Sequence, residues 1–131
     1  KYGITINNGD ETISIIDTRT NSVAATLEAG PDMTGVNFAA GKAFVISSTS
    51  GFVYAYDMTS LKSAGRIRIG TNVQLETATT DAADETLYLA ESTNHEVVII
   101  NARTHALERV RNVGLYPWGT HIMDSKDNYC H

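Results

Sequence analysis

Short runs in which every second residue is apolar alternate along this chain with clusters of Gly, Asn, Asp, Ser and Thr. A two-residue period sends successive side chains to opposite faces of an extended strand, and no stretch sustains the 3.6-residue period of an amphipathic helix. The pattern predicts an all-β chain. In the stretch that follows Gly30, strands are expected at 35–39, 43–47, 52–57 and 63–69. Turn residues sit where the corners fall. Asn8-Gly9-Asp10 and Ser50-Gly51 join a second strand to a third, and Asp17-Thr18-Arg19-Thr20-Asn21 and Asp57-Met58-Thr59-Ser60 join a third to a fourth.

The strands recur as a set. Ile13-Ser14-Ile15-Ile16-Asp17, Val53-Tyr54-Ala55-Tyr56-Asp57 and Val97-Val98-Ile99-Ile100-Asn101 share one pattern at steps of 40 and 44 residues. Gly30, Gly70 and Gly114, each closing an apolar strand, keep the same steps. The four additional residues of the second interval are expected between Leu75 and Tyr88, in the polar run 79–84, where a loop absorbs an insertion at little entropic cost. Four strands in about 40 residues are the size of one β-propeller blade. The units run over approximately 1–30, 31–70 and 71–114, with a partial blade at 115–131, all in one partial propeller domain.

The runs Ile4-Thr5-Ile6-Asn7-Asn8-Gly9-Asp10-Glu11-Thr12-Ile13-Ser14-Ile15-Ile16-Asp17-Thr18 and Val113-Gly114-Leu115-Tyr116-Pro117-Trp118-Gly119 resemble the YVTN-type β-propeller repeat. In that family a strand ending in Thr-Asn leads into a GDNTVSVID stretch and later into VGxxPxGVAVSPDG. The resemblance spans essentially the whole chain. It departs from the family at Leu75 and Glu76, where Gly-Val is usual, and the SPDG turn survives as Asp124-Ser125-Lys126-Asp127-Asn128. Such repeats serve in periplasmic and surface proteins, in lactonases, and in relatives of quinoprotein and nitrite-reductase propellers. The resemblance therefore implies a fold and a periplasmic or extracellular location, and leaves the function open.

About three repeats leave a ring incomplete. Propellers typically hold four to eight blades, and an unclosed array exposes the faces of its first and last blades. The chain is expected to belong to a longer propeller, or to complete a six-bladed ring with a second copy by exchanging strands. An open three-blade array is the third arrangement. The opening at Lys1, without an initiator methionine or an apolar leader, fits a processed protein or a fragment.

Composition narrows the function classes. With 131 residues, 42% of them apolar, the chain is one ordinary domain with enough apolar content for a core. Fifteen acidic against ten basic residues give a formal charge of -5 without any run of like charges, which argues against a duplex nucleic-acid partner. The longest apolar stretches are strand-sized, so no membrane-spanning helix is expected. The single Cys130 leaves the redox compartment open.

Turns between second and third strands share one face with the connections between blades, because neighbouring strands alternate in direction. By analogy with the family this is the ligand side. It carries Asn7, Asn8, Asp10, Asp32, Ser48, Thr49, Asn72, Gln74, Glu91, Asn94, His95, Tyr116 and Trp118. Asn37, Thr77 and His121 are read as equivalent positions on the innermost strands, facing a central channel. The ligand-binding candidates are Asn37, Glu76, Thr77, Tyr116, Trp118 and His121, with a small molecule or a protein as ligand.

No catalytic residue, metal or cofactor is called for. A Gly-x-Ser-x-Gly elbow and a phosphate-cradling Gly-rich loop are both missing, and Asp10 with Glu11 and Asp84 with Glu85 read as solvated corners. His121 with Asp124, Cys130 and His131 has no metal-ligand spacing, and Cys130-His131 lacks the earlier cysteine of a c-type haem motif. His95 and His105 read as turn residues without partners. Tyr54, Tyr56, Phe44 and Tyr88 follow strand spacing and read as blade packing. The arginines of Arg66-Ile67-Arg68-Ile69 and Arg109-Val110-Arg111 fall on outermost strands and read as edge protection, with a patch for an anionic partner as the alternative. The first reading of function is a non-catalytic interaction or ligand-binding module whose partner is another copy or the rest of a propeller. The alternative is part of a catalytic propeller, lactonase-like or cofactor-binding and redox-active.

Overall fold

Alternating apolar residues produce eleven strands and no helix in the computed structural model, which describes residues 1–125. The strands are β1 (Tyr2–Asn7), β2 (Thr12–Asp17), β3 (Ser22–Glu28), β4 (Met33–Ala39), β5 (Lys42–Ser47), β6 (Phe52–Asp57), β7 (Lys62–Arg68), β8 (Leu75–Thr80), β9 (Thr86–Glu91), β10 (Glu96–Asn101) and β11 (Leu107–Arg111). They form three antiparallel meanders, β1-β2-β3, β4-β5-β6-β7 and β8-β9-β10-β11. The first sheet lacks a counterpart of β4 and β8 among the described residues, so β1 is its edge. Cys130 and His131 lie outside the described residues.

The repeated Asp, Asp and Asn that end the third strands explain why that marker recurs. Asp17 Oδ1 accepts the Arg19 amide, Asp57 Oδ1 accepts those of Thr59 and Ser60, and Asn101 Oδ1 accepts those of Arg103 and Thr104. Each side chain thus folds its own turn. Hydrogen bonds from the Ser60 and Thr59 amides hold the Asp57 carboxyl below its ordinary range, and the Arg19 guanidinium and amide do the same for Asp17.

Stacking the sheets face to face buries two cores. Ile13 and Ile15 of the first sheet meet Met33, Val45 and Tyr56 of the second. On the other side of the second sheet, Phe44, Ile46, Val53 and Ile67 meet Leu75, Leu87, Leu89, Val98 and Ile100 of the third. Phe44 and Tyr56 are therefore packing residues, as strand spacing predicts. The Tyr56 hydroxyl donates to the Glu28 carbonyl, and burial, with the neighbouring Tyr54, raises its pKa.

Strand register corrects the placement of the insertion. Asn37 lies opposite Phe44, and Thr79 lies opposite Tyr88 at the matching place in the third sheet. Thr79, not Thr77, is therefore the counterpart of Asn37. Two of the four additional residues precede β8, where Val73 and Gln74 have no counterpart between Asp32 and Met33, and two lengthen the turn before β9. Val73 is 8% exposed within the second core, so its insertion is held by packing, which a polar-loop criterion does not detect.

Candidate functional site

The turns after the second strands and the connections between sheets interlock on one face. Asn8 binds both backbone groups of Met33, donating from Nδ2 to its carbonyl at 3.0 Å and accepting its amide at 2.8 Å. One repeat later, Ser48 donates to the Leu75 carbonyl at 2.7 Å and accepts the Leu75 amide at 3.1 Å. The residue after each second strand thus grips the first residue of the next sheet. In the third repeat, Ser92 instead donates to Glu76 Oε1 at 2.7 Å. Asp32 accepts the Thr49 hydroxyl on the same face.

Glu91 is fully buried at the end of β9, and sequence reading treated it only as one of many loop-face polar residues. Its Oε1 accepts the amides of Gln74 and Thr93 at 3.1 and 2.8 Å, and Oε2 accepts that of Asn94 at 2.9 Å. Burial pushes the carboxyl up, but the hydrogen bonds from Gln74, Asn94 and Thr93 outweigh it, so its pKa lies below the ordinary value. The two-residue insertion at Val73 and Gln74 supplies one of these donors.

The six candidates are dispersed. Asn37 is 4% exposed and its Nδ2 donates to the Ala78 carbonyl at 3.0 Å, joining two innermost strands. Glu76 holds Ser92, and Thr77 donates through both its amide and its hydroxyl to the Trp118 carbonyl. The Thr79 hydroxyl donates to Thr120 and the Ser125 hydroxyl to the Thr80 carbonyl, so residues 118–125 run beside β8 much as β8 runs beside β4. His121 is exposed within this stretch.

Tyr116 is the most unusual of the six. Its φ of 53° matches those of Asp32 (49°) and Asn72 (52°) at the same place in the preceding connections. Asp and Asn tolerate the left-handed region, whereas a bulky aromatic residue there is strained. His95 provides the restraint: its Nδ1 accepts the Tyr116 amide at 3.1 Å and the two rings meet edge to face at 5.1 Å. Leu115, Tyr116 and Trp118 together leave large apolar side chains at the loop surface, with exposures of 79%, 71% and 52%. His95 and His105 both have partners, contrary to the sequence reading. His105 Nε2 lies 3.2 Å from the Lys42 ammonium, which also donates to the carbonyls of Ala102 and Arg103. Among the described residues, no three His, Cys, Asp or Glu side chains form a metal-binding group.

No family model matches the chain, and no curated protein does. Solved structures do. The dihydro-heme d1 dehydrogenase NirN, solved in complex with DHE, superposes with a TM-score of 0.73 at 19% identity over 84% of this chain and 24% of that one. Hydrazine synthase of Kuenenia stuttgartiensis gives 0.73 at 15% identity over 85% and 32%. The β-propeller domain of Cps50 (Swd1) from Myceliophteria thermophila gives 0.64 at 14% identity over 85% and 37%. The fold is that of a partial β-propeller. Its three sheets are blades, the first lacking its innermost strand among the described residues, and the chain spans about a quarter to a third of these neighbours. At such identities the likeness concerns the fold alone.

Proposed function

We propose that these residues form a three-blade sector of a non-catalytic, YVTN-type β-propeller interaction module. Further blades complete the ring, from a second copy of the chain or from the remainder of a longer propeller. The observation that carries the reading is the pair of open ends. Among the described residues, β1 has a bare edge where the other blades have an innermost strand, and residues 118–125 lie beside β8 in the place of the next blade's innermost strand. The exposed Leu115, Tyr116 and Trp118 on the loop face are the ligand-contacting surface, for a small molecule or a protein segment, with His95 fixing Tyr116. Asn37, Glu76 and Thr77 support that surface through the hydrogen bonds they already make. A periplasmic or extracellular location belongs to this proposal and rests on the repeat resemblance.

Hydrogen exchange tests the open end. In dilute chain, β1 amides that do not pair with β2 exchange as freely as those of a terminal strand. Adding a peptide of residues 116–125 in excess slows them. Protection of these amides without peptide overturns the reading; no change on adding the peptide excludes a second copy as the source and leaves the remainder of a longer propeller.

A further inference from the structure

Two blades carry the same arginine pair in different company. In the third blade, Arg111 lies opposite Glu96 and Arg109 opposite Val98. Glu96 is 2% exposed; it forms an ion pair with Arg109 and has Arg111 at 3.8 Å, while Arg109 also donates to the Ile69 carbonyl of the second blade. These arginines clamp a buried carboxylate and join two blades, which goes beyond the edge protection that sequence suggests. In the second blade, Arg68 lies opposite Phe52 and Arg66 opposite Tyr54, in the same register. Phe52 stands where Glu96 stands. The two guanidinium carbons lie 4.3 Å (Arg66) and 4.9 Å (Arg68) from the centre of its ring, and neither arginine has an ion pair among the described residues.

We propose that Arg66 and Arg68 bind a carboxylate of an acidic segment of a partner protein, in the role that Glu96 plays inside the third blade. The Phe52 ring holds both guanidinium groups against its face, from where their N–H groups can donate to a carboxylate in bidentate fashion. Their strand, β7, is the outer edge of its sheet, so an extended segment with acidic residues at alternate positions has backbone groups to pair with as well. Beside the arginines runs a groove between the first and second blades, lined by Leu27, Ala29, Tyr54, Ser63 and Arg66, which receives the apolar part of such a segment. Glu28 also lines it, without an ion pair to Arg66.

Fluorescence anisotropy of labelled hexaglutamate, titrated with the whole chain at low ionic strength, reads this site. Saturable binding is expected, weakened at least about tenfold in the double variant Arg66→Gln, Arg68→Gln. Phe52→Glu keeps both arginines and supplies them with an internal carboxylate, so it weakens binding to a similar degree; circular dichroism melting establishes that each variant is folded. Hexaglutamate binding unchanged by Phe52→Glu, or absent in the parent chain, overturns the proposal. Binding that emerges only in Glu28→Gln makes the chain's own Glu28 the occupant, and inorganic phosphate competing as well as hexaglutamate makes the site a general oxyanion site; either result also overturns it.

Discussion

Glu91 is the side chain whose loss most directly loosens the loop face. Replacing it with Gln keeps the shape and one acceptor oxygen, but removes the charge that holds the Gln74, Thr93 and Asn94 amides. A hydrogen bond to a charged group contributes about 1.5–3 kcal/mol, and the loss is largest where the partner stays buried. Thr93 and Asn94 lie in an exposed turn, so water recovers part of theirs. The expected destabilisation for Glu91→Gln is about 2 kcal/mol, rising to about 3–4 kcal/mol for Glu91→Ala, which also leaves a cavity. Urea unfolding at one fixed chain concentration and neutral pH measures it. The sign with pH follows from the lowered pKa. The stabilisation is fully present above the ordinary carboxyl value of 4.5 and is lost as pH falls through the lower folded value. The gap between parent and Glu91→Gln therefore narrows as pH falls below 4.5. A Gln variant within about 0.5 kcal/mol of the parent at neutral pH, or a gap that does not change with acid, refutes the reasoning.

Gly51→Ala should cost at least about 2 kcal/mol in the same assay, because φ is 76° there and a Cβ would come within 2.1 Å of the Gly70 carbonyl oxygen. Burial and then the Lys42 ammonium lower the His105 pKa below its ordinary 6.5. The folded state thus binds fewer protons than the unfolded one, so this stabilisation is complete above about pH 6.5 and declines as pH falls toward the folded value. His105→Asn should flatten the drop in stability as pH falls below about 6.5, and an unchanged slope contradicts the lowered pKa of His105.

The blade strands were legible because alternation, turn residues and a 40-residue step all reflect local constraints. Asp17, Asp57 and Asn101 act on their own turns, so their repetition shows in sequence without any knowledge of packing. Contacts between blades were not legible in the same way. Val73 and Gln74 were inserted ahead of β8, yet a buried Val and a polar Gln carry no loop signal. Asn37 is recognisable in the sequence as a polar residue on an innermost strand, but its partner, the Ala78 carbonyl, belongs to the next blade. Arg109 and Arg111 looked like their counterparts Arg66 and Arg68 because alternation alone shows the outward face. What separates the pairs is the residue across the strand, Glu96 in one blade and Phe52 in the other. The candidate surface at Tyr116 and Trp118 was named from its loop position, and the strained backbone of Tyr116 with its His95 restraint emerged from the fold.

The central claim is that three blades with two open ends are a sector of a larger ring. Light scattering after size exclusion, over about a hundredfold range of concentration, tests it most directly. The account predicts a mass near twice 14.2 kDa if two copies close a six-bladed ring, and 14.2 kDa with freely exchanging β1 edge amides if the remainder of a longer propeller supplies the other blades. A monodisperse mass of 14.2 kDa throughout the range, with the edge amides of β1 protected from exchange, would contradict it.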